Sequence, residues 1–278
     1  MTNPPLRKIP ALQAAVRDLH PLFDRLYPIG VVADDRLMVY DVDPGRRAYR
    51  LVRNSVIPGP IGADTRTTVP LSDYGSRPVC VVTRDVFDSV DDCIAVFHEF
   101  VHCAQWEAGE SELAAALTMA YKRVGQVSVW AVRYPFDYDN DRLVYAYRRM
   151  LAAFETSDLA TGLSWHADAA SSLAPLDREF MVWHEWKEGF ARWLENKVRR
   201  RLGVRRNERG RWGAFGPEAF HAGGAELIQL MVRHEPPLVH QLGELYQRIH
   251  DACGSPYLTE LELLTAAQES KPMVGTPA

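Results

Sequence analysis

The apolar positions change period twice along the chain. Leu12, Val16, Leu19, Phe23 and Leu26 recur at spacings of three and four, which predicts an amphipathic helix ending near Pro28. The runs that follow are short and β-branched or aromatic: Leu37 to Tyr40, Ala48 to Val52, Thr67 to Val69 and Val79 to Thr83. Asp-Pro-Gly, Pro-Gly-Pro and Asp-Tyr-Gly-Ser separate them, so residues 31–84 predict a small sheet. From Ser89 the helical period returns. Ser89 with Asp92 three residues on resembles a capping box, and Val90, Ile94, Phe97 and Val101 form an apolar stripe running toward Gly109, a candidate C′ residue. Further helices are expected over 110–132, 140–157, 176–202, 217–233, 237–252 and 258–268, with connecting loops at 134–140 and 159–175.

The helix after Ser89 carries the chemistry. Phe97-His-Glu-Phe-Val-His-Cys-Ala-Gln-Trp106 sets His98 and His102 four apart, so both imidazoles leave one face of the helix at a separation that one tetrahedral zinc can bridge. Glu99 fits the base of an H-E-x-x-H site, which takes a proton from zinc-bound water. In a chain of this composition the motif arises by accident with about a 2% chance. Two histidines and a carboxylate on a mostly apolar helix are costly to bury unless something satisfies them, and a metal would.

A catalytic zinc takes three protein ligands and keeps one position open. The metzincin pattern would need a histidine at position 108, which is alanine. A better third ligand lies in Trp183-His-Glu-Trp-Lys-Glu-Gly-Phe-Ala-Arg-Trp-Leu-Glu195. There Glu188-Gly-Phe-Ala191 closely resembles the E-G-F-A segment of gluzincin metallopeptidases, and H-E-F-V-H-x-x-Q resembles the active-site helix of other zincin families. The resemblance covers two short motifs, about a tenth of the chain. It implies an α+β, zincin-like fold with Zn²⁺ bound by His98, His102 and Glu188, Glu99 as general base, and peptide hydrolysis as the reaction. This chain departs from the aminopeptidase spacing, since 85 residues separate His102 from Glu188. Gly189 would let the glutamate helix approach the first helix closely, at a propensity cost of about 1 kcal/mol relative to alanine. His184, four residues before Glu188, is an alternative metal ligand, and Glu195, two turns beyond Glu188, could hold a ligating imidazole from behind. Tyr246, Tyr257 and His221 are candidates for stabilising the oxyanion. By fold analogy, the strand Val79 to Thr83 could be the sheet edge along which a peptide substrate adds.

Composition narrows the partners. The hydrophobic share of 47% is ample for a core, and 32 Lys and Arg against 36 Asp and Glu leave a formal charge of −4, too balanced to call for nucleic acid or a membrane. Only Lys197 to Arg211, with eight basic residues, could form a local nucleic-acid surface, and cations around a helix C-terminus are the commoner reason for such a run. Cys80, Cys93, Cys103 and Cys253 form no C-x-x-C pair. No apolar run nears the roughly 18 residues of a membrane helix, and the N-terminus has no signal-peptide core, so a cytoplasmic protein with free thiols is expected. The domain reading is an N-terminal helix and small sheet over 1–88, a helical catalytic portion over 89–268 packed with it as one domain, and a disordered tail over 269–278. Two other functions compete: a catalytically silent zincin-fold binding or assembly protein, and a helical interaction protein using the 197–211 segment.

Overall fold

Pro21 stops the N-terminal helix short of its predicted end. The structure, a computed structural model, describes residues 5–33, 35–43, 45–56, 62, 64–117 and 134–253. In it the first helix is only Lys8–Val16 (α1), followed by two 3₁₀ turns, Arg17–Leu19 and Pro21–Asp24. Between them His20 is fully extended (φ −164°, ψ 141°), the conformation that a following proline imposes. Gln13 ties the broken pieces together by donating from Nε2 to the Phe23 carbonyl at 2.7 Å.

The chain divides into two compact units, residues 1–114 with 190–208, and residues 115–189 with 209–278. This cut differs from the expected 1–88 and 89–268, because the H-E-x-x-H helix packs on the sheet and belongs with it.

In the first unit the sheet has strands Ile29–Ala33 (β1), Arg36–Asp43 (β2), Ala48–Val56 (β3), Arg66–Leu71 (β4) and Arg77–Thr83 (β5), in the order β3-β2-β1-β5-β4. β1 and β5 pair in parallel, Ile29 opposite Cys80, and the other pairs are antiparallel. β1 had no counterpart among the expected strands. β5, expected at the sheet edge, is internal, and β4 is the edge on that side. The helix Val90–Gln105 (α2) starts where predicted, with Ser89 Oγ accepting from the Asp92 amide at 3.0 Å, and it packs against β4 and β5. Phe97 meets Phe23 and Phe100 at ring distances of 5.9 and 5.8 Å, and Tyr27 covers Phe100 at 5.6 Å. The opposite face of the sheet buries Val39, Val79 and Val81 beneath Val32, Leu37, Leu71 and Tyr74. At Gly109 the backbone turns left-handed (φ 105°) within a π-helical turn, Trp106–Glu110, as a C′ residue would, but the chain then re-enters helix over Ser111–Ala116 (α3).

The second unit is helical: Asp141–Glu155 (α4), Leu159–Ser171 (α5), the first part of Pro175–Arg201 (α6), Pro217–His234 (α7) and Leu242–Ala252 (α8). α5 occupies most of the expected 159–175 loop. Asp158 caps it by accepting from the Thr161 amide, and its buried positions are Gly162, Leu163, His166, Ala169 and Ala170, too small and polar to show as an apolar stripe. α6 carries the chain across the boundary between the units, which falls between Gly189 and Phe190. The close neighbour of Gly189 is α7: a Cβ there would lie 2.7 Å from the backbone of Gly224. The glycine therefore permits the close α6–α7 contact. The expected 258–268 helix, most of the 110–132 helix, the 269–278 tail and Tyr257 lie outside the described residues.

Three of the seven arginines in the 197–211 segment form ion pairs within the chain. Arg199 pairs with Glu195 and Asp91, Arg201 with Asp18, and Arg211, buried, with Glu155 and Glu226. Among the described residues no helix is long and apolar enough to cross a membrane.

Candidate metal centre

In the second half of α2 the polar residues are nearly as buried as the apolar ones. Glu99 is 6% and His102 5% exposed, and the His98 side chain 14%. The 3.6-residue period stacks the two imidazoles one turn apart, with ring centres 4.9 Å apart and planes at 77°. Ligand atoms of His98, Glu99 and His102 lie within 4.8 Å of one another, so the group could hold a metal ion.

Each of the three side chains is held from behind. The His98 Nδ1 is 3.0 Å from Glu195 Oε2, and the His102 Nδ1 is 2.8 Å from Gln105 Oε1. Thr68 Oγ1 lies 2.9 Å from both Glu99 Oε2 and the Glu99 carbonyl, so the edge strand β4 clamps the glutamate side chain and the helix backbone together. Cys103 Sγ is 3.8 Å from the same hydroxyl, and burial pushes its thiol well up.

Glu195 is the electrostatic anchor. Its Oε1 accepts from Arg199 Nε at 2.7 Å and Asn207 Nδ2 at 2.8 Å, and its Oε2 lies 3.3 Å from Arg192 Nε. Burial alone would raise the Glu195 carboxyl. The hydrogen bond and charge of His98, with the charges of Arg192 and Arg199, more than offset that and hold it well below the usual carboxylate range. An ionised carboxylate can only accept, so His98 donates to it from Nδ1. A zinc site is built from imidazoles fixed in this way through one ring nitrogen. The residues present fit that group.

The remaining expected residues lie in the second unit, where they neighbour one another. Glu188 Oε2 is 3.9 Å from His221 Nδ1. The His184 ring packs 4.4 Å from Phe180 and 6.3 Å from Phe220, and lies nearly parallel to His221 at 6.3 Å. Tyr246 is buried edge-on against Trp186 at 5.9 Å, and burial pushes its phenol well up, so it stays protonated. The structure thus brings His98, Glu99, His102 and Glu195 together in one unit, and Glu188, His184 and His221 together in the other.

Sequence reasoning missed Thr68, Gln105 and Asn207. Gln105 had a local signal, since it follows His102 by three residues and shares its side of α2. Thr68 had none, because its contact with Glu99 spans 31 residues and depends on β4 lying over α2. Comparison with family models, with curated proteins and with solved structures finds no match for this chain.

Proposed function

We propose that this chain is a zinc-dependent metallopeptidase of the gluzincin type, in which His98, His102 and Glu188 hold the ion. One observation carries the reading: a buried His-Glu-His group on one helix face, with its imidazoles fixed through Nδ1 by Glu195 and Gln105. Glu188 joins the set on the resemblance of its Glu-Gly-Phe-Ala segment to the gluzincin motif. A zinc ion in that setting polarises a carbonyl and lowers the pKa of a water toward about 7.

The chain's own residues do the rest. Glu99 accepts the proton of the attacking water and returns it to the leaving amine. Thr68 holds Oε2 of that carboxylate, which leaves Oε1 for the transfer. Glu195 keeps the His98 ring in orientation and supplies a fixed negative charge behind it. β4, the edge strand that carries Thr68, offers the backbone to which an extended peptide could add. Free Cys80, Cys93, Cys103 and Cys253 suit a reducing, cytoplasmic setting. Arg199, Arg201 and Arg211 of the 197–211 segment are committed to ion pairs within the chain, which weakens the case for a nucleic-acid surface there.

Metal analysis of purified wild type, His98→Ala and Glu188→Ala proteins tests the assignment. Near-stoichiometric zinc is expected in the wild type and lost in both variants, and wild-type zinc content in both would overturn it. Glu99→Gln should keep the metal and lower peptide hydrolysis by about 10²- to 10⁴-fold.

A further inference from the structure

The two imidazoles of the candidate centre are fixed by acceptors of different chemistry. His98 faces a carboxylate locked among Arg192, Arg199 and Asn207. His102 faces the carboxamide of Gln105, whose side chain is fully buried on the same helix. A carboxylate has only acceptor oxygens, so it leaves His98 no choice of tautomer. A carboxamide has an acceptor end and a donor end, and the end that meets Nδ1 decides where the His102 proton sits. With Oε1 at 2.8 Å, Nδ1 carries a proton, and on the neutral ring Nε2 then keeps its lone pair. With the amide reversed, its N–H would donate to Nδ1, the proton would move to Nε2, and that nitrogen could no longer ligate.

We infer that Gln105 is a positioning residue that selects the metal-binding tautomer of His102, doing with a neutral amide what Glu195 does for His98 with a charge. The metal half of this inference rests on the zinc reading above; the tautomer half does not. Gln105 is one turn beyond His102 and buried, so its amide stays beside the ring while the helix is intact. The neutral acceptor also spares the site a further buried negative charge next to Glu99 and Glu195.

Long-range nitrogen–proton NMR of the imidazoles, on full-length protein stripped of metal and held where the rings are neutral, reads the tautomer directly, with His102→Gln assigning the signals. The wild type should show His102 protonated at Nδ1. Gln105→Met, close in shape but without a strong acceptor, should move the proton toward Nε2 and weaken zinc binding about 10- to 100-fold in competition with a chelating dye. Gln105→Glu should restore both. A wild-type ring protonated at Nε2 would overturn the inference whatever the variants do, and so would a Gln105→Met protein that keeps the wild-type tautomer and affinity. A wild type with the Nδ1 proton that takes up no zinc would overturn the zinc reading and the metal half with it, while supporting the tautomer assignment.

Discussion

One helix carries two buried carboxylates with opposite uses of histidine. Glu195, in the first unit, meets His98 at Nδ1; Glu185, in the second, meets His166 at Nε2, at 2.9 and 3.1 Å. Both are shielded, the Glu195 side chain 6% and the Glu185 and His166 side chains 0% exposed. Around Glu195 the other partners are cations and an amide, Arg192, Arg199 and Asn207. Around Glu185 the other partner is the hydroxyl of Tyr147, donating at 2.7 Å, and the imidazole it holds is fully buried. A buried Glu–His pair is therefore not in itself a sign of chemistry. The difference lies in the setting: Glu195 holds a histidine of the His-Glu-His group among cations, whereas Glu185 holds a fully buried histidine beside the Tyr147 hydroxyl.

The backbone around the two carboxylates agrees with that division. A Cβ on Gly224 of α7 would fall 2.3 Å from the Glu185 carbonyl, and one on Gly223 would fall 2.1 Å from the Tyr147 hydroxyl. Two adjacent glycines thus let α7 close over α6 and the Tyr147 side chain. Removing Glu185 leaves His166 and Tyr147 buried without their acceptor. Glu185→Ala should then cost about 3–5 kcal/mol in denaturant titration, the largest stability effect expected of these variants. A cost below about 1 kcal/mol would mean that the cluster is not the structural hub its burial implies. Glu195→Gln should act differently, through the metal. It keeps the shape of the side chain and removes the charge behind His98, and zinc affinity should fall about 10- to 100-fold. A variant that keeps wild-type affinity but loses as much stability as Glu185→Ala would erase the distinction between the two carboxylates.

What was readable in the sequence follows the range of the interactions. The Ser89 cap and the His98-Glu99-His102 spacing are local, and α2 is a helix starting where they place it. The strands Leu37 to Tyr40 and Val79 to Thr83 were readable from composition, but their order was not, because pairing is decided by residues far apart; β5 came out internal and β4 at the edge. α5 was hidden because alanine, glycine and histidine fill its inner face. Gly189 was rightly suspected of a close approach, yet its neighbour, Gly224, lies 35 residues on in the chain and could not be named from propensity. In the candidate site the residues that would touch a metal or a proton were visible as motifs. Those that hold them were not: Thr68 comes from another strand and Asn207 from beyond the end of α6. Glu195 was within reach because it shares a helix face with Glu188.

The smallest expected effect concerns the charge of the second cluster. Burial would lower the His166 imidazole, but the charge and hydrogen bond of Glu185 more than offset this, and its pKa is raised above the ordinary 6.5. Burial and the neighbouring carboxylate push the Tyr147 phenol well up, and burial does the same to the Cys253 thiol near Glu185, so neither supplies a competing charge in the neutral range. A histidine whose folded pKa exceeds its unfolded one binds its proton more tightly when folded. Its contribution is complete below the unfolded value, near pH 6.5, and is lost as pH rises through the folded value. Wild-type stability, compared with that of His166→Gln at each pH, should therefore decline as pH rises above about 6.5, in the direction opposite to a carboxylate of depressed pKa such as Glu195. Denaturant titrations of both proteins between about pH 6 and pH 9 would read that slope directly. A difference that stays flat over this range would mean that His166 is held neutral by Glu185 and Tyr147, and the second cluster would then be a hydrogen-bonded core without an ion pair.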